Sequence, residues 1–157
     1  MLQRIQSVYL AVAVISLVVA FFSPVMSFIN EGQIWLEVYI NRFADNSSPA
    51  LGLNSMILLP VQILDILVVI MAGAAIFLFK NRRLQMRLVR LSIVMLLVII
   101  ALIFFYYGNV LGKATLTTPD FNQTGVYLFL VALVMFILAN RSIQKDEQLV
   151  KAADRLR

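Results

Sequence analysis

"ILLPVQILDILVVIMAGAAIFLFKNRR", Ile57 to Arg83, decides how this chain folds. It is apolar over more than 20 residues and then ends abruptly in positive charge. A transmembrane helix needs about 20 mostly apolar residues, since the hydrocarbon core is about 30 Å thick and a helix rises about 1.5 Å per residue. The segment meets that length. Yet it carries Asp65, with Gln62 one turn before it and Pro60 just above.

Three more segments resemble it. They are "VYLAVAVISLVVAFFSPVMSF" (Val8–Phe28), "LSIVMLLVIIALIFFYYGNVL" (Leu91–Leu111) and "TGVYLFLVALVMFILAN" (Thr124–Asn140). With the second span over about Met56–Phe79, this predicts four transmembrane helices. Their apolar runs are continuous rather than alternating, which argues against barrel strands. Composition agrees: 62% of the 157 residues are hydrophobic and only 13% charged. Mean hydropathy is +0.93. A soluble domain is usually about half apolar and about a quarter charged. The expectation is an all-α membrane protein, a single domain over 1–157. The first span is too long for the h-region of a signal peptide, and no A-x-A-like site follows it. It reads as an uncleaved anchor.

The chain has no Cys and no His. That removes disulfides, thiolate chemistry, the commonest metal ligand and the usual neutral-pH acid–base group. No Gly-rich phosphate loop or second intramembrane acid accompanies Asp65. The expectation is a non-enzymatic protein without cofactor.

Charge position gives the orientation. Of the 13 Lys and Arg, all but Arg42 and Lys113 fall at the N-terminus, in "KNRRLQMRLVR" (80–90) or in the tail after Asn140. Cytoplasmic segments carry the excess of Lys and Arg. Both termini are therefore expected in the cytoplasm, in a multi-pass protein. This placement also accounts for the net charge of +5 without nucleic acid. Lys80, Arg82, Arg83, Arg87 and Arg90 are candidate contacts for anionic phospholipid head groups, or serve topology alone. Leu84, Leu88 and Leu91 at helical spacing suggest that the third helix starts before the membrane.

Outside the membrane, "QIWLEVYINRF" (33–43) and "KATLTTPDF" (113–121) are rich in β-branched and aromatic residues. They are expected to pair as a small extracytoplasmic β cap, unless Trp35 and Tyr39 lie at the headgroup level. Asn46-Ser47-Ser48 and Asn122-Gln123-Thr124 match glycosylation sequons, a pattern that polar turns also produce by chance. The tail "RSIQKDEQLVKAADRLR" reads as an amphipathic helix, with Leu149, Ala152, Ala153 and Leu156 on one face. It offers a stripe for a partner protein, or it simply continues the fourth helix.

Leu58, Gln62, Asp65, Val69, Ala72 and Ile76 fall in one stripe, with Gly73 at its margin. Polar and small residues in lipid favour helix contacts, so the stripe should face the bundle. No Lys or Arg lies in any span. A carboxyl there without a counter-charge favours its neutral form. Asp65 is expected to lock helices by hydrogen bonding, with Tyr106 or its neighbour Tyr107 brought near by an antiparallel third helix and Ser23 offered by the first. The alternative is a proton or cation relay through Asp65 in a small transporter.

"MLQRIQSVYL", "LFKNRRLQMRL" and the tail together resemble a four-helix integral membrane protein family of Bacteroidota whose domain is of unknown function. The resemblance spans the chain. It implies an inner-membrane location and the four-span architecture; the reading favoured beside it is a non-enzymatic structural or accessory role, alone, as a homo-oligomer or with a membrane-protein partner. It assigns no site residue.

Overall fold

A computed structural model describes residues 2–30, 32–46, 52–78 and 81–155. Of residues 2–4 and 149–155 only the helical backbone is described. Lys80, Phe79, Ser47, Ser48 and the tail face formed by Leu149, Ala152, Ala153 and Leu156 thus lie outside the described side chains.

The fold is mostly helical, with a small antiparallel sheet. The first helix, α1, spans Leu2–Phe21. It stops short of the expected end at Phe28. Ser23 precedes Pro24, and a residue before proline is pushed out of the helical region. Pro24–Asn30 is instead a strand, β1. A reverse turn through Gly32, at φ 79°, leads into β2 (Gln33–Tyr39). After β3 (Phe43–Asp45), a 3-10 turn at Ser55–Leu58 opens α2 (Leu59–Phe77). Asn54 caps that turn, its side chain accepting from the Met56 N–H at 2.9 Å.

Helix α3 covers Arg82–Ala101, and its N-terminus is capped by the Asn81 side chain. It therefore starts within the basic segment, as the leucine spacing suggests. A π-helical segment, Leu102–Tyr107, joins it to α4 (Gly108–Thr115). The whole run from Arg82 to Thr115 is one helical rod. Leu116 then turns into the left-handed region at φ 54°, and Pro119–Asp120 form β4. The last helix, α5, runs without a break from Thr124 to Arg155. The tail continues the fourth expected span rather than forming a separate helix.

Among the described residues, three helical stretches are long and apolar enough to cross a membrane: Ser55–Phe77, Arg82–Thr115 and Thr124–Gln148. Helix α1 adds a shorter apolar stretch, Ile5–Phe21. It packs against α5 and α2, while α3 packs against α2 and α5.

Spacing explains the packing. The buried stripe on α1 runs through Gln6, Leu10, Ala13, Leu17 and Ala20, with Ser16 buried beside it, and the buried positions at the start of and along α2 are Leu58, Val61, Asp65, Val68, Ala72 and Ala75. Steps of three and four give a mean of about 3.5 residues, the period of helices packed at shallow left-handed angles. Small residues in both stripes bring the backbones close. The expected α2 stripe is thus partly corrected. Leu58, Asp65 and Ala72 are buried, but Gln62, Val69, Gly73 and Ile76 are only half-buried. On α3 the buried face is Gln85, Met86, Val89, Ser92, Leu96 and Ile99, and Leu84 and Leu91 point outward.

The sheet order is β3-β2-β1-β4. A small antiparallel sheet is present, but "QIWLEVYINRF" and "KATLTTPDF" do not pair with each other as expected. Between them lies β1, drawn from the end of the expected first span, with Phe28 opposite Leu36 on one side and Pro119 on the other. The Thr115–Thr118 stretch, expected as strand, is instead the end of α4 and a turn, because the helix continues until Leu116 reverses it. Gln123 donates to the Ser27 hydroxyl at 2.8 Å, holding the start of α5 to β1. At Gly125 a side chain would not fit: a Cβ would lie 2.6 Å from the Pro24 carbonyl oxygen.

Candidate functional site: a buried carboxyl in an apolar groove

Asp65 sits on the second turn of α2, six residues beyond Leu59, or roughly 9 Å along the axis. Its exposure is 1%, and its Oδ1 has no hydrogen-bond partner among the described residues. The residue lines a groove of about 290 Å³ between α1 and α2. The other walls are apolar: Val18, Phe21 and Phe22 from α1, and Ile66, Val69 and Ile70 from α2. Phe21 and Phe22 meet edge-on, with ring centroids 5.3 Å apart. Phe22, Ile66 and Ile70 are exposed, so the groove opens on the apolar outer surface of the helices.

The expected lock is absent. Tyr106 is 52% exposed, and no hydrogen bond joins it to Asp65. Gln62 is half-buried one turn away and makes no hydrogen bond to Asp65 either. The inward tyrosine is Tyr107, 2% exposed, whose hydroxyl donates to the Ile57 carbonyl at 2.7 Å. That carbonyl sits in the 3-10 turn, where its i+3 partner would be Pro60, which has no N–H.

The π-helical segment is why Tyr107 replaces Tyr106. Continuing steps of four and three from Ile99 would bury Ile103 and then Tyr106. The observed buried side chains are Ile103, Tyr107, Leu111 and Thr115, each four apart, with Gly108 buried beside Tyr107. A π turn holds one extra residue. It rotates everything after it and sends Tyr106 outward.

The charged end has its own polar contacts, which sequence reading missed. Gln6 of α1 donates through Nε2 to the Asp146 carboxylate of α5 and to the Ser142 carbonyl. Arg82 donates to the Asp146 carbonyl at 3.3 Å. Gln85 donates to the Ala75 carbonyl at 2.9 Å, bridging α3 to the end of α2. The signal was present: Gln6 falls in step with Leu10, Ala13 and Leu17, and Asp146 with Phe136, Ala139 and Ile143.

The structure places the basic candidates as follows. Arg83, Arg87 and Arg90 are exposed, and their spacing of four and three puts them on one face of α3. Arg82 is half-buried against α5. Lys80 lies outside the described residues. No group of three or more acidic side chains that could hold a metal occurs among the described residues.

The family model described as Domain of unknown function (DUF4293) matches residues 2–156. No curated protein and no solved structure matches the chain.

Proposed function

For a chain that belongs to the DUF4293 family, we propose a non-enzymatic role as a structural or accessory subunit of a complex in the bacterial inner membrane. The resemblance in the terminal motifs points to Bacteroidota. Helices α1, α2, α3–α4 and α5 form a four-span bundle, the sheet faces outward, and both termini and the 80–90 segment face the cytoplasm. The Lys and Arg distribution supports this orientation. The apolar stretch of α1, Ile5–Phe21, is about 25 Å long, at the short end of what a span needs. Arg83, Arg87 and Arg90 then lie at the cytoplasmic surface and attract anionic head groups, at about 1 kcal/mol per charge.

The observation that carries the accessory reading is apolar exposure on the sheet side. Leu116 is 92% exposed and held in a left-handed conformation, and Ile29 and Ile34 pair as exposed residues beside the β1–β2 turn. Side chains like these on the aqueous side of a membrane protein favour cover by a partner. Crosslinking in native membranes, followed by purification and mass spectrometry, tests this. A stoichiometric partner should be recovered with the wild type and lost with an Ile34→Lys, Leu116→Lys double variant. Recovery of the chain alone would refute the reading.

A second reading, a small transporter or ion- or proton-conducting protein, is favoured by one observation: Asp65 is buried and its Oδ1 has no hydrogen-bond partner among the described residues. Proton flux in proteoliposomes that vanishes in Asp65→Asn would establish it. Absence of flux in the wild type would remove it.

A further inference from the structure

We propose that the outward-facing groove between α3 and α5 seats one anionic phospholipid of the cytoplasmic leaflet, with its phosphate held by Arg87, Arg90 and Arg141 and the end of an acyl chain lying in the groove. The inference rests on the reading that the helices are membrane-embedded with their basic end in the cytoplasm. It narrows the general attraction of that end for anionic head groups to one built site.

The first observation is the groove itself. It encloses about 460 Å³ between almost wholly apolar walls, with Leu97 and Ala101 on one side, Val126 and Leu130 on the other, and the buried Phe129 beneath. Ala101 stands four residues from both Leu97 and Phe105, and its small side chain leaves the gap between them. At the sheet end Phe104 lines the groove and stacks on Phe121, ring centroids 4.3 Å apart.

The second observation is where the groove leads. Steps of three and four along α3 from Leu97 toward the basic end meet Val94, Arg90 and Arg87. Equivalent steps along α5 from Leu130 meet Val134, Ile137 and Arg141. All of these residues are exposed, and residues at this spacing share one helix face. An apolar track thus joins the groove to a basic mouth built by both helices.

The third is depth. Arg82 donates to the Asp146 carbonyl, so these two residues stand level. Arg87 and Arg141 each lie five residues inward of that level, roughly 7–8 Å, and Arg90 eight residues inward, roughly 12 Å. The three cations therefore meet one head group at one depth band. Leu97 is roughly 10 Å further in, toward the middle of a hydrocarbon core about 30 Å thick, where the acyl chains of a leaflet end.

The fourth is charge. None of the three arginines forms an ion pair with a described residue. A helix of another protein seated here would bring Lys or Arg to the same depth, since cytoplasmic ends carry the excess, and like charges would repel it. A phospholipid brings a phosphate to that depth and an apolar chain to the groove.

The test uses the full-length chain reconstituted in phosphatidylcholine vesicles. The sequence has one tryptophan, so Trp35→Phe clears the background. Leu97→Trp then places a reporter at the groove, and Ile70→Trp, on the exposed face of α2, is the reference. Lipids brominated in mid-chain quench a tryptophan that they touch. Brominated phosphatidylglycerol is compared with brominated phosphatidylcholine at each reporter. One Arg near the surface is worth about fivefold for an anionic lipid, so the groove reporter should favour phosphatidylglycerol at least about fivefold more than the reference does. Arg90→Gln with Arg141→Gln, both at exposed positions, should bring the groove reporter down to the reference value. The comparison of the two reporters needs no Arg variant, so it stands even if that pair fails to fold. Equal preference at both reporters, or a preference that survives the loss of both arginines, would overturn the proposal. Quenching at the reference alone would mean that a second copy covers the groove, and would overturn it too. Quenching at neither reporter would sink the membrane reading on which the proposal rests. The recovery of a partner at the sheet side is independent of all these outcomes, so the accessory reading stands or falls separately.

Discussion

Replacing Asp65 with leucine should stabilise the delipidated protein. The carboxyl is 1% exposed and one of its oxygens has no partner. Burying a polar group without a hydrogen bond costs about 1–3 kcal/mol by protein mutational data. Leucine removes that cost and adds apolar contact with Val69 and Phe21. It is somewhat longer than aspartate, but the adjoining space of about 290 Å³ can take the extra atoms, so overpacking should be slight. The net gain should be about 1–3 kcal/mol. A polar lock between helices predicts the opposite sign, a loss averaging about 0.6 kcal/mol and reaching about 1.7. Asp65→Asn keeps both the size and the unpaired polar atoms, so it should stay within about 0.5 kcal/mol of the wild type. The assay is reversible unfolding in mixed micelles titrated with a denaturing detergent, on ligand-stripped protein. Asp65→Leu less stable than the wild type would refute the reasoning, because it would mean that the carboxyl has a partner within the folded chain.

Tyr107→Phe should cost about 0.5–1.5 kcal/mol by removing the bond to the Ile57 carbonyl, while Tyr106→Phe should be neutral; the same unfolding titration reads both. Gly125→Ala should destabilise by about 1–3 kcal/mol, since its Cβ would press on the Pro24 carbonyl and move β1 off α5, visible as faster amide exchange in β1. Gln6→Leu should cost about 1–3 kcal/mol by leaving the buried Asp146 carboxylate without its α1 donor, and hydrogen exchange should rise where α1 meets α5.

The helices were legible because lipid imposes one simple demand, about 20 apolar residues in a row, and three runs meet it. The end of the first was not. "SPVMSF" is as apolar as a membrane helix, and only the proline marks the change to strand. Its apolar residues are buried beneath the sheet rather than in lipid: Val25, Met26 and Phe28 belong to the core. The cap was half legible. Alternation identified β2, but nothing local shows that β1 lies between it and β4. The burial of Asp65 could be read from its place in the α2 stripe. Its lack of a partner could not be read, because the choice between Tyr106 and Tyr107 turns on a single extra residue in a π turn. Apolar sequence such as "LIFFYY" gives no warning of that insertion. The polar contacts of Gln6 and Gln85 were hidden for another reason. They lie in segments whose charge suggests water, although heptad spacing turns these residues inward.

A membrane-embedded helical assembly with its sheet on one side and its basic ends on the other makes a direct prediction about which positions water-borne reagents reach. The chain has no cysteine, so single cysteines report cleanly. Asn46 and Thr118 are exposed on the sheet side, and Arg83 and Lys145 at the basic end. Each is changed to Cys in turn, and intact spheroplasts are treated with a membrane-impermeant thiol reagent. Asn46→Cys and Thr118→Cys should label at once, and Arg83→Cys and Lys145→Cys only after the membrane is broken. Labelling of Arg83→Cys or Lys145→Cys in intact cells, or protection of Thr118→Cys, would contradict the account.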